Sequence, residues 1–241
     1  SVNNIVNKGG TILKSARSAD FRTAEGRKKA YDNLVAAGID SFVVIGGDGS
    51  FTGAEIFNEE YGFPVIGIPG TIDNDIYGTS HTLGYDTALN TVIDAIDKIR
   101  DTANSHNRLF FVEVMGRDAG HIALNAGIGA GAEEILIPEE DFGLDRLVES
   151  LNRSKGSGKT SSIVVVSEGD KIGKNVFELK DYIEENMPEY DVRVSVLGHM
   201  QRGGSPSCFD RVLASRLGVK AVETLLDGKS NYMVGLNQDK I

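Results

Sequence analysis

With 241 residues, 40% of them hydrophobic and 25% charged, the chain can bury a sizeable core and has neither the polarity of a disordered segment nor a fibrous repeat. A formal net charge of −10 opposes binding to nucleic acid or an anionic membrane surface, and no apolar run approaches the roughly 20 residues of a spanning helix. The single cysteine, Cys208, excludes an internal disulfide and a cysteine-based zinc site, and it suits a reducing cytoplasm. In chain order, Ser1 opens without a charged-then-apolar leader, and both ends read as truncated, since no turn or cap signal follows Leu236. Thr23 is placed to cap a helix carrying Ala30 and Leu34, with Gly38 just past its end. Short apolar runs at 42–45, 65–68, 109–114, 135–137, 163–166 and 192–197 predict strands covered on both faces. Helical spacing links Ala88, Val92, Ile96, Ile99 and Ala103, and again Leu213, Leu217, Ala221 and Leu225. Strand alternating with helix predicts an α/β fold with doubly wound, mostly parallel sheets, whose ligands sit beyond the carboxyl ends of the strands. No linker-like tract is longer than 155–161.

The loops at those carboxyl ends carry the candidate chemistry. Gly46-Gly47-Asp48-Gly49-Ser50 follows one strand and precedes a helical pattern. It reads equally as a phosphate-binding loop, with Asp48 able to serve magnesium, or as a tight strand-to-helix turn. In Pro69-Gly70-Thr71-Ile72-Asp73-Asn74-Asp75, two carboxylates two residues apart can divide the work of base and metal ligand, which fits better than an Asx-rich turn. Arg117, in Met115-Gly116-Arg117-Asp118-Ala119-Gly120-His121, is either a group that neutralises a transferring phosphoryl or a solvated arginine at a helix start. His199 and Arg202 lie in a glycine-rich loop and suit a sugar phosphate, although a lone loop histidine is more often structural. Gly156-Ser157-Gly158-Lys159-Thr160 is not a P-loop, because Arg153 stands where the first glycine is needed and the segment leads into a strand rather than a helix.

Taken in this order and spacing, GGDGS, PGTIDND, VEVMGR and GHMQRGGSP resemble the bacterial ATP-dependent 6-phosphofructokinases, and the similarity runs from Gly9 to about Val234. The resemblance implies two similar Rossmann-like domains, residues 1–84 plus 201–241 binding nucleotide and 85–200 binding sugar phosphate. It implies phosphorylation of fructose 6-phosphate by ATP and Mg²⁺ in glycolysis, in a cytoplasmic homotetramer with shared active sites. By the same resemblance Asp73 is the base acting on the sugar 1-hydroxyl, beside Thr71 and with Arg117 stabilising the transition state, and Asp48 and Asp75 serve the metal. Arg17, Ser18, Arg22, Gly47, Asp48, Gly49 and Ser50 match nucleotide contacts. Met115, Gly116, Glu168, His199 and Arg202 match the sugar-phosphate pocket, together with Thr71, Asp73 and Arg117. Arg108 and Arg193 match arginines lent by a neighbouring subunit, and Arg100, Glu133 and Lys159 match an allosteric nucleotide site. The family's opening strand with its glycine-rich loop, its N-terminal effector arginines and its closing segment have no counterpart in these residues, and Asn4 stands where some relatives carry aspartate. The rival expectations are a pyrophosphate-dependent kinase and a catalytically silent regulatory homologue. Glycine at Gly49 and Gly70, where pyrophosphate-using relatives place aspartate and lysine, favours ATP, and intact Asp73, Asp75 and Arg117 argue against a silent copy.

Overall fold

The computed structural model describes residues 3–103, 108–140, 143–156, 161–171 and 175–241. Seven helices and seven strands alternate among them: α1 (Ala24–Ala36), β1 (Phe42–Gly46), α2 (Asp48–Tyr61), β2 (Val65–Pro69), α3 (Tyr85–Ala103), β3 (Arg108–Val114) and α4 (His121–Gly129). Then come β4 (Glu134–Leu136), α5 (Leu144–Gly156), β5 (Ser161–Ser167), α6 (Val176–Asn186), β6 (Asp191–Val196), α7 (Cys208–Leu226) and β7 (Tyr232–Met233). The chain divides into two compact units, one holding the residues up to Thr71 with Ile76–Gly84 and Cys208–Ile241, the other Ile72–Asp75 with Tyr85–Ser207. The segment 201–207, expected with the first unit, clusters with the second. Ser207 anchors it there by donating its N–H to Thr87 Oγ1 at 3.0 Å and its hydroxyl to Asp86.

The first unit carries a parallel sheet of order β1-β2-β7, with Gly46 in register with Pro69 at the carboxyl edge. Ile66 and Ile68 of β2 bury against Leu213, Leu217 and Ala221, which α7 stacks on one stripe by helical spacing. A second cluster around Phe57, 1% exposed, gathers Phe21, Tyr31, Phe42, Tyr61 and Phe63. The expected helix start is realised. Thr23 Oγ1 accepts from Gly26 N at 3.0 Å, and Gly38 turns the chain at φ 69° just beyond the helix.

In the second unit the order is β4-β5-β3-β6, all parallel. Pleating divides β3 between two cores. Phe110, Val112 and Val114 pack with α3 and α4 through Val92, Ile96 and Ile122, while Leu109 and Phe111 pack with α5 and α6 through Leu147, Leu151 and Leu179. Both faces are therefore covered, which is why these strands read as unbroken apolar runs. Each such side chain contributes about 1.5–3 kcal/mol by leaving water.

Candidate active site

In the first unit, β1 and β2 run side by side and end together. Gly70 N donates to Gly46 O at 2.9 Å, so the loop after β2 is hydrogen-bonded to the last residue of β1. α2 starts at once, which puts Asp48, Gly49 and Ser50 in its first turn, where the positive end of the helix dipole favours an anion, while Ser50 N donates to Gly47 O at 2.9 Å. The glycine segment is thus a helix N-terminus at a strand's carboxyl end, a geometry that the phosphate-binding loop and the tight strand-to-helix turn share. Gly46 is required by contact: a Cβ there would lie 2.4 Å from Ser50 Oγ. Gly49 faces open space, with nothing within 4 Å of a Cβ built on it. Arg17, Ser18 and Arg22 are exposed on the segment leading into α1, and Thr71 O accepts from Thr82 Oγ1 at 2.6 Å.

The loop's second half belongs to the other unit. Ile72 packs on the core between β3, β5 and α3, which seats Ile72–Asp75 there. Asp73 is 5% exposed, Asn74 takes a left-handed φ of 55°, and Asp75 points to solvent. A buried carboxylate next to a strained turn is a common feature of working sites.

At the carboxyl end of β3 the backbone turns sharply, with Gly116 at φ 141° and Arg117 at φ 54°. A Cβ on Gly116 would sit 2.3 Å from Ala119 O, so only glycine fits. Glu168, which follows β5, holds this turn. Its Oε1 accepts from Arg117 N at 2.8 Å and from Gly116 N at 3.3 Å, which leaves the exposed guanidinium of Arg117 to face solvent. Gln201, 1% exposed, ties in the loop after β6 by accepting from Met115 N at 3.2 Å and donating to Gly198 O at 3.0 Å. The strands β5, β3 and β6 are neighbours, so their carboxyl ends gather Glu168, Met115, Gly116, Arg117, His199 and Arg202 along one edge. Glu113 of β3 stands near Glu168, and burial together with that charge pushes its carboxyl above the ordinary glutamate range.

Arg108 and Arg193 are not on that edge. Arg108 begins β3 and Arg193 lies near the start of β6, so seven residues of strand, about 20 Å, separate Arg108 from the Arg117 loop of the same chain. Both arginines meet Asp191, Arg193 Nη2 at 2.9 Å and Arg108 Nε at 3.4 Å. The proposed effector residues also have internal partners. Arg100 Nη2 donates to Ala130 O and Gly131 O at the end of α4, and Glu133 accepts from Ile163 N at 2.6 Å with Arg100 3.9 Å away. Lys159 lies outside the described residues.

Sequence reasoning passed over Gln201, Glu139 and Asp191. Glu139 Oε1 accepts from Gly120 N at 2.7 Å and so caps α4. Nothing local marks Gln201 or Glu139, since their partners are 86 and 19 residues away. Asp191 was legible, because residues two apart on a strand share a face and Asp191-Val192-Arg193 therefore sets a carboxylate beside its arginine.

Comparison with known proteins decides the lineage. The phosphofructokinase family pattern matches residues 1–225. The chain belongs to the phosphofructokinase family. It is 55% identical to ATP-dependent 6-phosphofructokinase 2 of Bacteroides thetaiotaomicron and 57% identical to the ATP-dependent 6-phosphofructokinase of Bacillus pumilus, in each case over the whole chain and 74% of the relative's length. Among solved structures, Pichia pastoris phosphofructokinase superposes with a TM-score of 0.93 at 35% identity, covering all of this chain and 30% of that one. A pyrophosphate-dependent phosphofructokinase from Marinobacter aquaeolei gives 0.79 at 25% identity, covering 96% of this chain and 62% of that one. As a phosphofructokinase the chain has the mixed α/β architecture with parallel sheets expected of it.

Proposed function

We infer that this chain transfers the γ-phosphoryl group of ATP to the 1-hydroxyl of fructose 6-phosphate, giving fructose 1,6-bisphosphate. The observation that carries this reading is whole-chain identity of 53–57% to proteins named ATP-dependent 6-phosphofructokinases, on a scaffold whose glycine-rich helix start and arginine-bearing loops sit at strand carboxyl ends. In this reading the first turn of α2, with Gly47, Gly49 and Ser50, receives the nucleotide phosphates, helped by Arg17, Ser18 and Arg22. Asp73, 5% exposed, takes the proton from the sugar hydroxyl with Thr71 beside it. Arg117, whose backbone is held by Glu168 and whose guanidinium is exposed, stabilises charge on the transferring phosphoryl, while His199 and Arg202 orient the sugar phosphate.

Asp48 and Asp75 are both exposed, neither is engaged in an ion pair among the described residues, and no cluster of three or more metal-ligating side chains exists among those residues. That donor set fits magnesium, which is held by one or two carboxylates together with substrate phosphates, and unlike zinc needs no protein cage. When bound, the ion neutralises phosphate charge during transfer.

The two ends of β3 favour a shared site. A single chain presents Arg117 at one end and Arg108 and Arg193 at the other, so the latter pair serves a sugar phosphate only on a neighbouring subunit. A homotetramer in the cytoplasm, regulated by a nucleotide near Arg100, Glu133 and Lys159, completes the proposal; no helix among the described residues is long and apolar enough to cross a membrane.

The donor is tested by a coupled assay comparing ATP with pyrophosphate. The expected result is turnover with ATP and none with pyrophosphate, since Gly49 leaves its surroundings open for a nucleotide. Turnover with pyrophosphate alone would reverse the assignment.

A further inference from the structure

Asp191 opens β6 directly across from Arg108, and Arg193 follows two residues later on the same face. Its two carboxylate oxygens are divided between the two guanidinium groups, Oδ1 to Arg193 Nη2 at 2.9 Å and Oδ2 to Arg108 Nε at 3.4 Å. Two arginines drawn together at one point repel each other. A carboxylate between them offsets that repulsion and draws both heads toward one point as an ion pair with one nitrogen of each; Arg193 Nη1 donates to Val192 O at 3.4 Å, and the remaining donors of the two forks are left for a further ligand. The side chains are half-open to solvent, Arg193 at 53%, Asp191 at 42% and Arg108 at 30%, so the contribution to fold stability is small. A surface ion pair of little stabilising value that aligns two phosphate-seeking forks calls for a different purpose.

We propose that Asp191 is a positioning residue, which holds Arg108 and Arg193 side by side so that both engage one phosphate of the sugar substrate. The proposal rests on the reading of these two arginines as ligands of the sugar phosphate. Asp191 does not touch the substrate. Its effect is entropic: a phosphate meeting two pre-aligned forks loses less side-chain freedom on binding than one that must gather them.

The test is fructose 6-phosphate binding by calorimetry together with steady-state kinetics on the protein and on Asp191→Asn, Asp191→Glu, Arg193→Ala and the Asp191→Asn/Arg193→Ala pair. Asp191→Asn keeps the shape and removes the charge. The dissociation constant and KM for fructose 6-phosphate rise about tenfold, with kcat changing far less, KM for ATP within about twofold and the melting temperature within about 2 °C. Asp191→Glu recovers part of the loss. In the Arg193→Ala background the same substitution costs less than about threefold, because one of the two groups it aligns is gone.

Unchanged or tighter sugar-phosphate binding in Asp191→Asn would overturn the proposal, tighter binding meaning that the carboxylate competes with phosphate. So would a full effect persisting in the Arg193→Ala background, which would mark a structural role. If Arg108→Ala and Arg193→Ala both leave fructose 6-phosphate binding unchanged, the assignment of the arginines fails and the role of Asp191 with it. If they weaken binding and Asp191→Asn does not, only the positioning role fails.

Discussion

The carboxyl edge of β1 and β2 is built from glycines and the start of α2, whereas the edge formed by β3, β5 and β6 carries Arg117, Glu168, His199 and Arg202 on loops braced by side-chain hydrogen bonds. In the proposed reading the first region works by leaving side chains out, so that backbone N–H groups can meet an anion at close range. The second works by holding charged side chains in place. Their vulnerabilities differ accordingly: steric at the first edge, electrostatic and conformational at the second.

The largest effect is expected at the proposed base, Asp73, in the loop that follows β2 and whose second half packs with the second unit. Asp73→Asn removes a base while keeping its shape, and kcat should fall roughly 10²–10⁴-fold with sugar binding and melting temperature nearly unchanged. Near-parental kcat would remove Asp73 from the mechanism. Mixing Asp73→Asn chains with Arg193→Ala chains extends the experiment. If sites are shared between subunits, the mixed oligomer regains activity, because one interface then has an intact Asp73 and an intact Arg193. No recovery from properly reassembled mixtures would put each site within one chain.

An intermediate effect sharpens the contrast at the first edge. Gly46→Ala forces a Cβ to 2.4 Å from Ser50 Oγ and should destabilise the fold by about 1–3 kcal/mol, read as a lower denaturation midpoint. Gly49→Ala enters open space in the first turn of α2, so the fold should hold or gain slightly while KM for ATP rises. Equal stability losses at both positions would mean that contact does not govern this loop.

The smallest effect concerns pH. Glu113 titrates above the ordinary glutamate value because burial, and then the Glu168 charge, disfavour its ionised form. Its folded-state value is raised, so the folded state keeps a proton that the unfolded state has lost. Its contribution to stability is fully present below the unfolded value and is lost as pH rises through the folded one. Glu113→Gln should therefore be more stable than the parent at neutral pH, with the gain shrinking as the solution is acidified toward the ordinary glutamate range. A gain independent of pH would place its cause outside ionisation.

Much of the scaffold was legible without coordinates. The apolar runs of β3 and β5, the stripe of Ala88, Val92 and Ile96, and Thr23 before a helix reflect local rules: pleating, helical spacing and capping act over a few residues. β7 was missed because two residues, Tyr232 and Met233, are too short to show a period. The loops bearing Asp48, Asp73, Arg117 and His199 were legible as well, since their residue types and order identify the family. What tertiary structure decided is which groups meet. That Glu168 holds the backbone of Arg117, that Gln201 reaches Met115 and that Asp191 joins Arg108 to Arg193 depend on the strand order β5-β3-β6, which sets side by side segments lying tens of residues apart. The separation of Arg108 from Arg117, by contrast, follows from the seven extended residues of β3 alone, whatever its neighbours. A strand has two ends, and only the pairing of parallel neighbours determines which side chains gather at each.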